Sequence, residues 1–309
     1  MSALICGSFA YDTIMVFPDQ FKNHILPDKV HILNVSFLVP EMRREFGGCA
    51  GNIAFNLKLL GEEPLPMATV GKDFAPYAEW MDKFSISRKY LKEVDSYTGQ
   101  AFITTDQDDN QITAFHPGAM GQSHENSVLK AEGIKIGIVA PDGRDGMIKH
   151  AKDFAEAGIP FIFDPGQGLP MFDGDDLMRF AEQATWIALN DYEAELFQER
   201  TGKTLEQLAE MVEAVIVTRG SKGSNIYAKG ECHDIPVAQV SELKDPTGCG
   251  DAFRAGLIYG ILNDIDWDKT GRIASLMGAI KIESNGTQNH AFTMKDFKQR
   301  YKISFDSEF

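Results

Sequence analysis

Positive charge is scarce in this chain. Thirty Lys and Arg stand against 45 Asp and Glu, giving a formal net charge of −15 and a pI near 4.9. An acidic surface of this kind repels phosphodiester backbones and anionic membrane surfaces, so neither nucleic acid nor membrane is expected as a partner. Cysteine is sparse as well. Cys6, Cys49, Cys232 and Cys249 lie far apart with no C-x-x-C pair, which leaves no zinc spacing and no disulfide framework. Apolar runs are short, and none reaches membrane-spanning length. The start, Met-Ser-Ala-Leu-Ile-Cys-Gly, enters a strand-like run at once with no charged or apolar leader, so a cytoplasmic location is expected. Internal repeats, low-complexity tracts and Pro/Ser-rich linkers are missing too, which points to one large domain over residues 1–309. No Gly-x-x-x-x-Gly-Lys-Ser/Thr loop, protein-kinase motif set or Ser-His-Asp arrangement occurs.

What remains is an ordinary globular composition, 43% hydrophobic and 24% charged. Ala3–Cys6 is a short buried-strand run closed by Gly7. Residues 11–46 are β-rich but broken by Pro18, Pro27 and Pro40. Ile14–Phe17 and Val30–Val39 therefore read as strands and loops outside any βαβ unit. Cys49–Leu60 has helical spacing, with Ile53, Ala54, Leu57 and Leu60 on one face and Gly61 as the stop. Leu65–Val70 is strand-like and Phe74–Phe84 helical. Ala101–Thr105 and Gln111–Phe115 flank a polar tip and predict a hairpin. From Ile134 onward strands and helices alternate, ending in a late antiparallel pair near 225–236 and helices over 248–262, 269–283 and 293–301. Such alternation predicts an α/β fold with a mostly parallel sheet covered by helices. The β pieces at about 12–46 and 97–118 are inserted and predict a small lid.

The most informative string is Asp245-Pro246-Thr247-Gly248-Cys249-Gly250-Asp251-Ala252-Phe253-Arg254-Ala255-Gly256. A glycine-rich turn opens into an apolar helix. The first N–H groups of that helix have no internal partner and sit at the positive end of its dipole. Those of Gly248, Cys249 and Gly250 form a candidate anion hole for a transferring phosphoryl group. Asp251 beside them can accept the proton of an attacking hydroxyl. Read alone, Gly-x-Gly-Asp fits equally a turn and a helix cap.

Read at full length, Asp-x-Thr-Gly-x-Gly-Asp-x-Phe-x-x-Gly resembles the signature of the ribokinase-like (PfkB) kinases. Gly47-Gly48-Cys49-Ala50-Gly51-Asn52 resembles that family's second signature, near the N-terminus. The resemblance implies a three-layer α/β/α fold with a β lid and transfer of phosphate from ATP to a hydroxymethyl group. It implies that Asp12 holds two sugar hydroxyls; by itself Asp12 is an ordinary turn carboxylate. Asn190-Asp191-Tyr192-Glu193 is similar to the family's Asn-x-x-Glu motif, which organises Mg²⁺ through water; it is also a capping-box spacing. Thr218-Arg219-Gly220-Ser221-Lys222-Gly223 resembles the nucleotide loop, with Thr218, Gly220 and Gly223 as ATP contacts, or a plain surface turn. Asp245, Thr247 and the segment 283–289 resemble a cage for a monovalent cation, usually K⁺. The chain departs from that pattern at His290, where a late serine ligand would stand.

Finer details resemble the bacterial adenosine kinase branch: Phe17-Pro18, Leu26-Pro27, Ser36-Phe37-Leu38-Val39, Phe115–Met120 and Asp164-Pro165-Gly166-Gln167. By this resemblance Ser8, Asp12, Ser36, Gly47, Gly48 and Asn52 face the nucleoside. Phe102 and Phe115 sandwich the purine, with Met120 and Gln167 beside it. The alternative is that the two Phe rings form the core of a small hairpin. Adenosine is the expected acceptor, and another nucleoside or a free sugar is the nearest alternative. A non-catalytic nucleotide-binding regulator is the alternative of a different class. An exposed lid sheet would leave an apolar face that a second copy could cover.

Overall fold

The computed structural model describes residues 2–25, 32, 34–108 and 110–309. Its main sheet grows from β1 (Ser2–Cys6), whose alternation splits the core in two. Ala3 and Ile5 join one buried cluster and Leu4 and Cys6 the other, because successive side chains of a strand point to opposite faces. Parallel to β1 run β4 (Glu63–Val70) on one side and β8 (Ile134–Val139) on the other. The parallel order continues through β9 (Phe161–Phe163), β10 (Trp186–Asn190) and β11 (Ala214–Thr218). Two antiparallel strands, β12 (Ser224–Ala228) and β13 (Glu231–Ile235), close that edge. β5 (Tyr90–Glu93) closes the other against β4. This four-residue strand, Tyr-Leu-Lys-Glu, has no alternation in sequence that announces it.

Parallel neighbours need crossovers, and helices supply them on both faces. One face carries α1 (Cys49–Leu59), α2 (Ala75–Lys83), α7 (Cys249–Leu262) and α8 (Trp267–Ile282). The other carries α3 (Arg144–Ala157), α4 (Gly174–Gln183), α5 (Asp191–Thr201) and α6 (Leu205–Ala209). α9 (Met294–Phe305) packs outside α8 through Phe297 and Tyr301. α7 lies close to α8 because Gly256 leaves no side chain; a Cβ there would meet the Ala274 backbone at 2.4 Å.

A second sheet of four strands stands apart, in the order β3 (Glu41–Gly47), β2 (Ala10–Val16), β6 (Gly99–Thr105), β7 (Gln111–His116). β2 and β6 are parallel and the outer pairs antiparallel. The β6–β7 tip is pinned by Asp106, whose carboxylate accepts from the N–H groups of Phe21, Asp108 and Asn110. The strand content expected over Val30–Val39 is not there as such. Residues 34–40 have no ladder partner and no regular structure, and the strand begins only at Glu41, past Pro40. Pro27, with the rest of 26–31 and 33, lies outside the described residues.

Candidate active site

A cleft of about 710 Å³ runs between the lid sheet and the C-terminal ends of the parallel strands. Ser8 follows β1, Asp142 follows β8, Asp164 and Gln167 follow β9, Asn190 ends β10 and Thr218 ends β11. Open α/β sheets bind ligands at this end because every βα turn opens there.

The first turn of α7 forms the cleft's floor. Gly248 has φ +79° and packs on Thr287, 3.1 Å from where a Cβ would lie. Only glycine holds this left-handed turn without strain. The N–H groups of Gly248, Gly250 and Asp251 have no partner among the described residues, whereas that of Cys249 donates to the Pro246 carbonyl at 3.1 Å. The free donors are thus Gly248, Gly250 and Asp251 rather than the expected trio with Cys249. A tight turn at 246–249 uses the Cys249 N–H internally.

Asp251 is held by a chain of hydrogen bonds whose polarity has one origin. The Trp80 indole can only donate, and it donates to Gln288 Oε1 at 2.9 Å. The Gln288 amide nitrogen therefore faces Asn52 Oδ1, at 3.0 Å, and the Tyr77 hydroxyl, at 2.6 Å. Asn52 then turns its own amide nitrogen to Asp251 Oδ2, at 2.8 Å. Tyr77 passes its proton on to the Gly47 carbonyl at 2.9 Å. Burial pushes the Asp251 carboxyl up to about 7, and the Asp164 charge adds to that; the Asn52 donor and the Arg254 guanidinium oppose it. Arg254 itself is buried and grips Asp164 with two bonds of 3.1 and 3.0 Å.

Asn190 and Glu193 form a complete capping box at the start of α5 and line the cleft as well. Burial, followed by the Asp164 charge, raises the Glu193 pKa, and Arg254 restrains it. Asp164, Glu193 and Asp251 therefore face the cleft with a single buried guanidinium among them. Among the described residues no three acidic, His or Cys side chains converge as a metal cage. The donors fit a hydrated Mg²⁺ that takes other ligands from a polyphosphate, as this ion does in phosphoryl-transfer sites.

Residues 11–293 match the family model described as pfkB family carbohydrate kinase. The chain belongs to that family. The chain is similar to the nucleoside kinase of Burkholderia thailandensis, whose structure with inosine superimposes with a TM-score of 0.90 at 52% identity and covers 99% of both chains. The same protein with ADP-inosine gives 0.88 at 53% identity, over 99% of this chain and 97% of that one. A nucleoside kinase of Methanocaldococcus jannaschii is 32% identical over 86% of this chain and 89% of its own length.

The structure of this pfkB chain gathers most of the predicted residues in one cleft. Ser8, Asp12, Gly48, Asn52, Phe115, Met120, Gln167, Asn190, Glu193, Thr218 and Thr247 all line it, together with Gly248, Gly250 and Asp251, whereas Cys249 lies outside the lining. Ser8 also accepts the Cys49 N–H at 3.2 Å, so its hydroxyl anchors α1. Burial pushes Asp12 up to about 6, helped by the charges of Glu45 and Asp245. The diglycine is needed for packing. A Cβ on Gly47 would stand 2.6 Å from Asp12 Oδ2, and one on Gly48 2.6 Å from the backbone of Ser8–Ala10.

Other predicted residues fall elsewhere. Phe102 and Phe115 are on opposite faces of the lid. Phe115 pairs with Ala101 and faces the cleft beside Ile103, whereas Phe102 pairs with Ala114 and points outward. A one-residue offset in a strand inverts the face, so the expected aromatic sandwich is one-sided. Ser36 is exposed in the irregular 34–40 segment and outside the cleft. Gly220 and Gly223 shape a 3-10 turn beyond the cleft lining. Asp245 turns inward, its carboxylate accepting from the N–H groups of Thr247 and Gly286, each at 2.9 Å.

Three charged lining residues went unnoticed in the sequence as site members. Arg254 and Asp164 were visible only as parts of motifs. Asp142 follows its strand as Asp164 does, and that shared position after a parallel strand is the signal that marks both. Burial pushes the Asp142 carboxyl up to about 8 against the pull of the Gly143 N–H.

Proposed function

We propose that this pfkB kinase transfers the γ-phosphoryl group of ATP to the 5′-hydroxyl of purine nucleosides, adenosine among them. One observation carries the reading: a buried carboxylate and three unpaired helix N–H groups share one cleft with Asp12, Phe115 and Gln167. The first group suits phosphoryl transfer and the second a nucleoside.

Asp12 accepts from ribose hydroxyls, and Asn52 lies between the ribose and the base. Phe115 offers one stacking face for the purine, and Met120 and Met171 add apolar surface to the same cleft. Gln167 carries both a donor and an acceptor, so rotation of its amide serves a 6-amino or a 6-oxo purine edge. That favours a broader acceptor range than adenosine alone, consistent with inosine bound to the Burkholderia relative. Asp251 removes the 5′-hydroxyl proton as the oxygen attacks the γ-phosphorus. The bond to the β-bridging oxygen breaks, and ADP leaves. The N–H groups of Gly248, Gly250 and Asp251 take up charge on the moving phosphoryl group. When bound, Mg²⁺ would supply charge neutralisation on the ATP phosphates, and Glu193 and Asn190 would be the residues that hold it at this end of the cleft. Thr218 contacts the nucleotide, and Gly220 and Gly223 shape its loop. The lid excludes water, which would otherwise compete as acceptor.

The outward lid face carries Met42, Phe102 and Ile112, 70%, 40% and 44% exposed. We propose that a second copy covers it; sizing by light scattering should give a dimer for the wild type and a monomer for Phe102→Glu.

The test is ADP release from MgATP with adenosine, inosine, guanosine, pyrimidine nucleosides, ribose and fructose. Turnover on adenosine and inosine supports the reading. Turnover on ribose alone would remove the base pocket from it, and silence with every acceptor would favour a nucleotide-binding regulator.

A further inference from the structure

The resemblance to cation-activated relatives predicts a K⁺ cage at Asp245 and Thr247. The structure has a different cation there. Lys281, in the last turn of α8, is fully buried. Its Nζ donates to the Asp245 carbonyl at 2.6 Å and to the Ser284 carbonyl at 3.2 Å. These oxygens belong to the two loops that the cage would use. The loops are tied together around the ammonium group: Lys244 and Asp245 donate their N–H groups to the Ile282 carbonyl at 2.9 and 3.1 Å, and Gly286 donates to the Asp245 carboxylate.

The donor set therefore does not fit a bound monovalent ion. An ammonium group is a compact point charge of similar size with three donors, and it already takes the carbonyls an ion would need. Burial pulls the Lys281 pKa down and the Asp245 charge pulls it back. Two carbonyl acceptors favour the protonated form, since a neutral amine would waste a lone pair against them. Nearby His290 adds no second positive charge. Burial, then the Lys281 charge, lowers it to about 4, and its Nε2 pairs with Asn56 Oδ1 at 2.7 Å.

The position is one from which a fixed charge acts on the reaction. The Asp245 carbonyl leads directly through Pro246 and Thr247 to the open N–H groups of α7. The cleft above is lined by five carboxylates, Asp12, Asp142, Asp164, Glu193 and Asp251, and one guanidinium, in a chain of net charge −15. A positive charge locked under the anion hole offsets that field without the need to bind an ion. We propose that the Lys281 ammonium is the built-in counterpart of the monovalent cation, and that this kinase does not depend on K⁺. Lys281 is on this view a positioning residue, since it acts through the 245–248 turn and touches no substrate. The inference rests on the phosphotransfer reading of the cleft.

The experiment has two arms. In the first, wild-type turnover is measured at constant ionic strength in tetramethylammonium, Na⁺ and K⁺ chlorides, with melting temperature and ADP affinity recorded in each. All three quantities should be the same in the three salts, with turnover within about twofold. In the second, Lys281→Met and Lys281→Gly are assayed in the same salts. Each should lose kcat by about tenfold or more, the scale for a lost charge near an oxyanion site. Lys281→Gly should regain part of it with K⁺, NH₄⁺ or methylammonium, and should gain a K⁺-specific rise in melting temperature. A purely structural lysine would give no cation-specific rescue. Wild-type activation above tenfold by K⁺ would overturn the proposal, as would wild-type kcat for Lys281→Met in tetramethylammonium. If both variants fail to fold, the wild-type salt comparison decides alone. If no acceptor turns over in any salt, the phosphotransfer reading fails, while a K⁺-specific shift in wild-type melting or ADP affinity still refutes the Lys281 proposal.

Discussion

Replacing Asn52 by Ala removes an amide donor that stabilises the ionised form of Asp251 through a 2.8 Å bond. A hydrogen bond to a charged group contributes about 1.5–3 kcal/mol, and about 1.4 kcal/mol corresponds to one pH unit. The Asp251 carboxyl begins near 7, so the acid limb of kcat/KM should move upward by roughly 1–2 pH units. A base must be ionised to work, so activity falls as pH drops through that value. At pH 7 the wild type is about half ionised and the variant only about 1–10% ionised. The assay is ADP release over pH 5.5–9.5 at saturating MgATP and limiting nucleoside. Loss of an Asn52 contact to ribose would lower the whole curve; loss of the bond to Asp251 moves its limb. A lowered curve with an unmoved limb would refute the role of Asn52 in setting the base.

Asp251→Asn should lower kcat by about 10²–10⁴, the range for a lost general base, with ADP and nucleoside affinities by calorimetry close to wild type. Phe115→Ala should raise KM for purine nucleosides by about tenfold, the scale of one lost stacking contact, and leave KM for ATP unchanged; Phe102→Ala should change neither. Asp142→Asn tests a stability linkage. The folded carboxyl titrates near 8 and the unfolded one near 3.8, so the native state holds an extra proton between those values and wild-type stability falls as pH rises across them. The variant should gain about 5 kcal/mol at pH 8 and less than about 1 kcal/mol at pH 4, read from urea midpoints; an equal gain at both would refute the linkage. Arg254→Met should destabilise by about 3–5 kcal/mol by stranding the buried Asp164 charge, and Asp164→Asn in the same chain should restore part of it.

Much was legible in the sequence because local chemistry fixed it. Gly248 and Gly250 mark a turn that only a glycine-rich segment can make, and an apolar helix must follow Asp251 because its residues are apolar all round. The alternating strands and helices after Ile134 specify a parallel sheet, since parallel strands need crossovers. Asn190 and Glu193 announce their capping box by spacing alone. Other features depend on register and on distant partners. One residue of strand phase decides that Phe115 faces the cleft and Phe102 does not, and β6 takes that phase from β2, some 90 positions earlier. The Trp80–Gln288–Asn52–Asp251 chain joins four distant stretches of sequence and takes its polarity from an indole that can only donate. Lys281 reads as one lysine on an otherwise apolar helix end. Only the folded chain brings its ammonium under the loop at Asp245, where desolvation and two carbonyls give a surface residue type a buried role.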